Sequence, residues 1–282
     1  MNKFDIHAVV NIARQAGAEI MHMRDQVVGK AEYKGDGSPV TAADRRANDI
    51  VMRGLMSLTP DIPIVSEENP ESENLAIQKS HHTYWVVDPL DGTRSYIEGF
   101  DGFGVHIGLI EKGEAKAAAI YFPAQGIAYY TDGKSGAFQQ KDGRPREKIT
   151  VRTKQEEGKS LTVAVSWVAR RRPARDDVDY HPLAAVGGDR FCQAASGKAD
   201  LALTEMPFAY WDIAAAHALL KAAGGDIFDL KTGARITYPN DRIYVPPALG
   251  GDADLVRAQR DSFYQATAKV VLQARDKKPP SP

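Results

Sequence analysis

Apolar side chains recur at Ile6, Val9, Val10, Ala13, Gly17 and Ile20, a helical period that predicts a helix over residues 4–24 with one buried face. Lys34-Gly35-Asp36-Gly37-Ser38-Pro39 breaks the pattern as a loop. Thr41 stands where an N-cap belongs, with Asp44 three residues on, close to a capping box. The helix it starts carries Ala47, Ile50, Val51 and Leu55 on one face and ends at Pro60. Ile62-Pro63-Ile64-Val65 reads as a short strand ending in Ser66-Glu67-Glu68, with a loop after it. Trp85-Val86-Val87 is a buried strand that runs into a tight turn, Asp88-Pro89-Leu90-Asp91-Gly92-Thr93. Val105, Ile107 and Leu109 alternate with polar or small residues, the period of a half-buried strand. Glu111-Lys112-Gly113-Glu114 turns the chain back into 117–121, and the pieces 127–130 and 136–139 extend an antiparallel sheet.

The polar, Lys/Arg-rich stretch 141–160 marks a boundary, giving an α+β unit over 1–145 and an α/β unit over 146–282. Beyond it the pattern alternates. Leu161 to Val165 is a strand, Arg170-Arg171-Arg172-Pro173 opens a charged loop, and 187–197 is a helix ended by Gly197. Ala199 to Leu203 is a strand, and Trp211 to Ala223 is a helix stopped by Gly224-Gly225. A strand starts at Ile227-Phe228, a last helix covers 251–275, and 277–282 is a frayed tail. Such alternation implies layered α/β packing.

Composition narrows the function classes. At 282 residues, 43% hydrophobic and 26% charged, the chain can bury a sizeable core. A formal net charge of -1 offers no field for nucleic acid or an anionic membrane. A small anionic substrate therefore needs a local device such as a metal. The single cysteine, Cys192, excludes a disulfide framework and fits a reducing cytoplasm. No cationic segment followed by an apolar run opens the chain, and no window approaches eighteen apolar residues.

Five carboxylates stand at element ends: Asp44, Glu67, Asp88, Asp91 and Asp212. Oxygen-only ligands suit a hard cation such as Mg²⁺, which is held by a few carboxylates plus substrate phosphate. Asp88 leaves a core strand three residues before Asp91, and like charges so close repel unless a cation neutralises them. Spacing alone leaves a bound cation and an ordinary acidic turn both open. Gly92-Thr93 fits an anion site, since glycine lets a phosphate reach successive N–H groups, but an ordinary turn has the same residues. Asp212 precedes an alanine run, where capping a helix is the plainer role. His106 and His217 fall inside regular elements as packed or surface residues rather than ligands, His81-His82 is a solvated pair, and Cys192 is a core residue. No Gly-x-Ser-x-Gly, Walker loop or dinucleotide fingerprint is present.

Four motifs in order resemble the inositol monophosphatase superfamily of metal-dependent, typically lithium-sensitive phosphatases. They are 34–44 (Lys34 to Asp44), Ser66-Glu67-Glu68, Asp88-Pro89-Leu90-Asp91-Gly92-Thr93 and Trp211-Asp212-Ile213-Ala214-Ala215, covering about residues 30–230. The resemblance implies an α/β fold of layered α-β-α-β-α sandwich type shared with sugar phosphatases, with metal and phosphate held by residues 1–145 and substrate by 146–282. It implies two or three Mg²⁺ ions. Glu67, Asp88 and the carbonyl of Leu90 would hold the ion that activates water. Asp88, Asp91 and Asp212 would hold the ion near the leaving oxygen, and Asp44 would serve a looser third. Thr93 would orient the water beside Glu67, Gly92 and Thr93 N–H groups would grip the phosphate, and Asp212 and Glu205 would meet substrate. Relatives of this kind commonly form homodimers.

The substrate signals diverge. The stretches 187–192 and 197–200 resemble the 3'(2'),5'-bisphosphate nucleotidase branch, whereas Glu98-Gly99-Phe100 and Val105-His106-Ile107-Gly108-Leu109 look closer to inositol monophosphatases. Thr93-Arg94-Ser95-Tyr96 resembles the histidinol-phosphatase branch. The expectation is a phosphomonoesterase for a 3'(2'),5'-bisphosphate nucleotide or inositol monophosphate. Histidinol-phosphate or sugar-bisphosphate hydrolysis is the alternative, and a non-catalytic phospho-ligand-binding relative is the rival of another class.

Overall fold

The computed structural model describes residues 4–27, 32–33, 39–154, 160–166, 180–185 and 189–276. Helix α1 (Ile6–Val27) comes first, and the short strands β1 (Glu32–Tyr33) and β2 (Pro39–Val40) pair antiparallel before helix α2 (Ala42–Leu58). Then follow β3 (Ile64–Ser66), α3 (Glu71–Ser80), β4 (Thr83–Asp91) and α4 (Thr93–Ile97). An unbroken run of strands comprises β5 (Gly104–Glu111), β6 (Glu114–Phe122), β7 (Ile127–Thr131), β8 (Ala137–Lys141) and β9 (Glu147–Ile149). The second half holds β10 (Leu161–Ser166), β11 (Tyr180–Ala185), α5 (Asp189–Ala195), β12 (Leu201–Thr204) and β13 (Phe208–Ala209). It closes with α6 (Tyr210–Ala222), β14 (Asp226–Asp229), β15 (Tyr244–Val245), β16 (Ala248–Gly251) and α7 (Ala253–Asp276).

Strands β3 to β9 form one sheet in sequence order, antiparallel except that β3 runs parallel to β4. The second sheet has the order β11-β10-β12-β16-β14, parallel over its first three strands and antiparallel after them. Side-chain alternation places the layers. On β4, Trp85 and Val87 pack with Val9, Ala13, Val51 and Leu55 of α1 and α2. Tyr84 and Val86 point the other way, toward Ile213, Ala214 and Leu220 of α6. On β10, Ala164 joins Phe191 of α5 and Leu219 of α6, while Val163 and Val165 pack against Leu255, Val256 and Phe263 of α7. The order is therefore α1/α2, large sheet, α5/α6, small sheet, α7, an α-β-α-β-α sandwich.

Helix α6 lies in the middle layer and is buried from Ile213 to Leu220. Its alanines let it come close to β5. A Cβ added at Gly108 would stand 2.8 Å from the Ala215 backbone nitrogen, so only glycine admits the helix there.

Several elements differ from the sequence expectation. The loop expected after Glu68 contains α3, whose Glu71 and Glu73 open its first turn and whose buried residues are Asn74 and Gln78 rather than an apolar stripe. Asn74 makes its own bonds instead, donating to the Ser66 carbonyl at 2.7 Å and accepting from the Ser66 N–H at 3.2 Å. The acids expected in a turn lie within β4, which continues to Asp91, and the turn falls at Gly92. Helix α5 covers Asp189–Ala195 among the described residues and ends two residues before the expected 197. Strands β1, β2, β9, β11, β13, β15 and β16 carried no strand expectation, and β9 lies inside the stretch 141–160 read as a boundary. The Lys34–Ser38 stretch, the Arg170–Pro173 loop, residues 186–188 and the tail from 277 lie outside the described residues.

Candidate active site

Residues three apart on a regular strand point to opposite faces. Asp88 and Asp91 escape that rule because the β4–β5 ladder shifts register between them, a bulge-like irregularity that re-aims the strand end. Gly92 follows with φ 85°, a left-handed conformation that leads straight into α4. Asp212 arrives from the other half of the chain. It sits in the first turn of α6, where its Oδ2 accepts a hydrogen bond from the Ala209 N–H at 2.9 Å. Oxygens of Asp88, Asp91 and Asp212 all lie within 4.8 Å of one another.

Two further acids border this group. Glu67 follows β3, and its N–H donates to the Val87 carbonyl at 3.1 Å, which holds it beside Asp88. Asp44 lies in the first turn of α2 and completes the capping box: Thr41 N–H and Oγ1 both donate to its Oδ2, at 2.7 and 2.6 Å. Its other oxygen, Oδ1, lies 2.9 Å from Thr93 Oγ1, which is also 3.0 Å from the Leu90 carbonyl. One hydroxyl proton faces two acceptors there, so Thr93 donates either to Asp44 or to the Leu90 carbonyl. The Leu90 N–H in turn donates to Asp88 Oδ1 at 2.9 Å. Glu67, Asp88, Leu90, Asp91, Thr93, Asp44 and Asp212 thus meet at one place, drawn from β3, β4, α4, α2 and α6.

The electrostatics are those of an acid cluster lacking enough counter-charge. Burial first, then the charges of Glu67, Asp91 and Asp212, push the Asp88 carboxyl well above the usual carboxylate range. Asp212 keeps part of its surface in solvent yet is densely surrounded by protein. Burial, Asp91 and Glu67 raise it well above that range, against the Ala209 N–H and Arg190. Burial also raises Asp44 despite its threonine hydrogen bonds. Carboxylates packed this way stay ionised only with a cation among them. An all-oxygen donor set fits a hard divalent ion.

Glu205 follows β12, on the side of the site formed by the second half. Two neighbours were given no site role by the sequence. Arg190 of α5 is buried with its guanidinium 4.7 Å from the Phe208 ring centroid, and the charges of Asp91, Asp212, Asp189 and Glu205 favour its ionised form against burial. His106 of β5 lies opposite Asp88, its Nε2 3.6 Å from Asp91 Oδ2. The signal for His106 was present: with Val105 and Ile107 facing α1 and α2, its alternate position faces the central layer.

The model of the inositol monophosphatase family matches residues 1–264. The chain belongs to the inositol monophosphatase family. A curated relative, the 3'(2'),5'-bisphosphate nucleotidase CysQ of Salmonella typhimurium, is 35% identical over 256 residues, covering 86% of this chain and 98% of the relative. A histidinol-phosphatase of Chlorobaculum parvum is 29% identical over 238 residues, covering 80% and 86%. Among solved structures, CysQ from Bacteroides thetaiotaomicron superposes with a TM-score of 0.71 at 22% identity, covering 88% of this chain and 97% of that one. The fold of this inositol monophosphatase family member is therefore the fold of that structure, and its acid cluster lies within the matched region.

Proposed function

We propose that this protein is a Mg²⁺-dependent phosphomonoesterase that hydrolyses a small 3'(2'),5'-bisphosphate nucleotide. The observation that carries the reading is the convergence of Asp88, Asp91 and Asp212, from two halves of the chain, into a cluster whose like charges call for a cation. Similarity along nearly the whole length of CysQ relatives supports the substrate class. Glu67, Asp88 and the Leu90 carbonyl would hold one ion, and Asp88, Asp91 and Asp212 the other, with Asp44 beside them. Divalent ions held by these residues would neutralise phosphate charge and activate water for in-line attack. Thr93 orients the attacking water and passes its proton toward Asp44, the acceptor 2.9 Å away. The N–H groups of Gly92 and Thr93 hold the phosphate, and the left-handed Gly92 keeps the approach clear of a side chain.

In this reading the large sheet and its helices bind metal and phosphate, and the second half, through Glu205, reads the alcohol. The absence of a disulfide partner for the buried Cys192 among the described residues fits a reducing cytoplasm. A homodimer is the assembly expected from the family resemblance. No helix among the described residues is long and apolar enough to cross a membrane. Histidinol phosphate is the second reading, favoured by the Chlorobaculum parvum relative and by Thr93-Arg94-Ser95-Tyr96.

A phosphate-release screen tests both readings. Adenosine 3',5'-bisphosphate, inositol 1-phosphate, histidinol phosphate and fructose 1,6-bisphosphate are each assayed with and without Mg²⁺ and lithium. Magnesium-dependent release, fastest from the bisphosphate nucleotide, is expected. Release fastest from histidinol phosphate replaces the substrate, and no release from any compound leaves the non-catalytic binder.

A further inference from the structure

Among the described residues, His106 and His217 are buried where β5 meets the central layer and within it, and they differ. His217 of α6 is satisfied at both nitrogens, by the Tyr238 hydroxyl at 3.0 Å and by Asp226 Oδ1 at 2.8 Å. Neither nitrogen of His106 of β5 makes a hydrogen bond of normal geometry among the described residues. Native proteins rarely leave a buried imidazole so, and each case calls for a reason.

The position supplies one. His106 pairs with Asp88 in the β4–β5 ladder and with Ile120 in the β5–β6 ladder, so it stands at the level of the bulge that re-aims Asp91. The Phe122 ring lies edge-on to it, with centroids 5.9 Å apart, and holds its orientation. Burial pushes the imidazole below its usual value, toward the neutral form, against the Asp91 charge and the nearby Asp212 backbone. A neutral imidazole still has one N–H to donate. Its Nε2 stops 3.6 Å from Asp91 Oδ2, beyond hydrogen-bond length. His106 is not itself part of the tight ligand group, which comprises Asp88, Asp91 and Asp212. Any effect it has on the ion runs through Asp91.

We propose that His106 is a positioning residue of the metal centre: its Nε2–H hydrogen-bonds one oxygen of Asp91 when a divalent ion is bound and turns the other oxygen toward the ion. Partners of this kind orient a ligand and commonly change metal affinity 10–100-fold. The inference rests on the metal reading of the acid cluster.

The test is calorimetric titration of Mg²⁺ and Mn²⁺ into the whole metal-free protein, with its thermal unfolding followed in parallel. His106→Leu removes the donor and keeps an apolar side chain of similar reach. It should leave the metal-free protein at least as stable and weaken ion binding by about tenfold or more. His106→Gln places an amide N–H where Nε2 stands and should recover most of the affinity. His106→Asn, whose amide reaches only the Nδ1 position, should not, and this pair decides the matter if the leucine variant fails to fold. Wild-type affinity in the leucine or asparagine variant, or a glutamine variant as weak as asparagine, overturns the inference alone. A wild-type protein that takes up no divalent ion overturns the metal reading, and the inference with it.

Discussion

Helix α6 carries two buried polar clusters about a turn and a half apart, and they are built on opposite principles. At its N-terminus Asp212 meets Asp88 and Asp91, three acids whose mutual repulsion leaves them well suited to a cation. Farther along, His217 donates to Asp226, accepts from the Tyr238 hydroxyl, and shares Asp226 with the Arg235 guanidinium 3.0 Å away. Burial pushes Asp226 up, but hydrogen bonds from His217 and the Ile227 N–H, with nearby positive charge, hold it below the usual carboxylate range. The second cluster is complete in itself and joins α6 to β14 and to the segment before β15. The first is incomplete without something from outside. Burial and charge alone therefore do not mark a site; the sign of the surplus does.

The largest expected effect breaks the first cluster. Asp91→Asn or Asp212→Asn should lower kcat/KM by at least about 10³-fold, since several kcal/mol of charge stabilisation depend on the ion. Either change should also raise the melting temperature of the metal-free protein, because a like charge is lost. Activity near wild type in Asp91→Asn would end the assignment. The mirror experiment is His217→Leu. It leaves Asp226 buried with fewer donors, at a cost of about 3 kcal/mol, or roughly 5–10 °C in melting temperature. Turnover per folded molecule should stay near wild type. A large loss of turnover at unchanged stability would show that the two clusters are coupled and not distinct.

How far each cluster was legible in the sequence follows from its chemistry. The Asp88–Thr93 and Trp211–Asp212 motifs are contiguous, so their residues could be read together. The capping role of Thr41 toward Asp44 was legible because it spans three residues, and the structure shows both halves of the box. The bulge that re-aims Asp91 was not legible, since it belongs to the β4–β5 ladder and not to β4. The His217 cluster joins residues from three segments with no spacing rule, and in the sequence His217 could be read only as a packed or surface helical residue. Helix α3 escaped because the residues it buries are the polar Asn74, held by hydrogen bonds to Ser66, and Gln78, which leave no apolar period. The five layers are legible only in part. Alternation shows that β4 is apolar on both sides, but which helices cover each face is a matter of tertiary packing.

The smallest effect separates the clusters by the sign of their pH dependence. Burial, then neighbouring carboxylates, raise Asp88 and Asp212 in the folded protein, so the native state keeps protons that the unfolded chain releases above about pH 3.8. Their contribution to stability is whole below that pH and is lost as pH rises through the raised values. Burial lowers His217, so the native state refuses a proton that the unfolded chain accepts below about pH 6.5. Its contribution is whole above that pH and is lost as pH falls toward the lowered value. The metal-free protein should therefore lose stability at both ends. Saturating Mg²⁺ should recover a few degrees of melting temperature on the alkaline arm only, because the ion takes the place of protons at the acid cluster and touches nothing at His217. Asp212→Asn should flatten the alkaline arm without metal, and His217→Leu should reduce the acid arm, to which His106, also lowered by burial, contributes. If Mg²⁺ lifts both arms equally, the ion binds elsewhere, and the difference between the two ends of α6 is not one of charge.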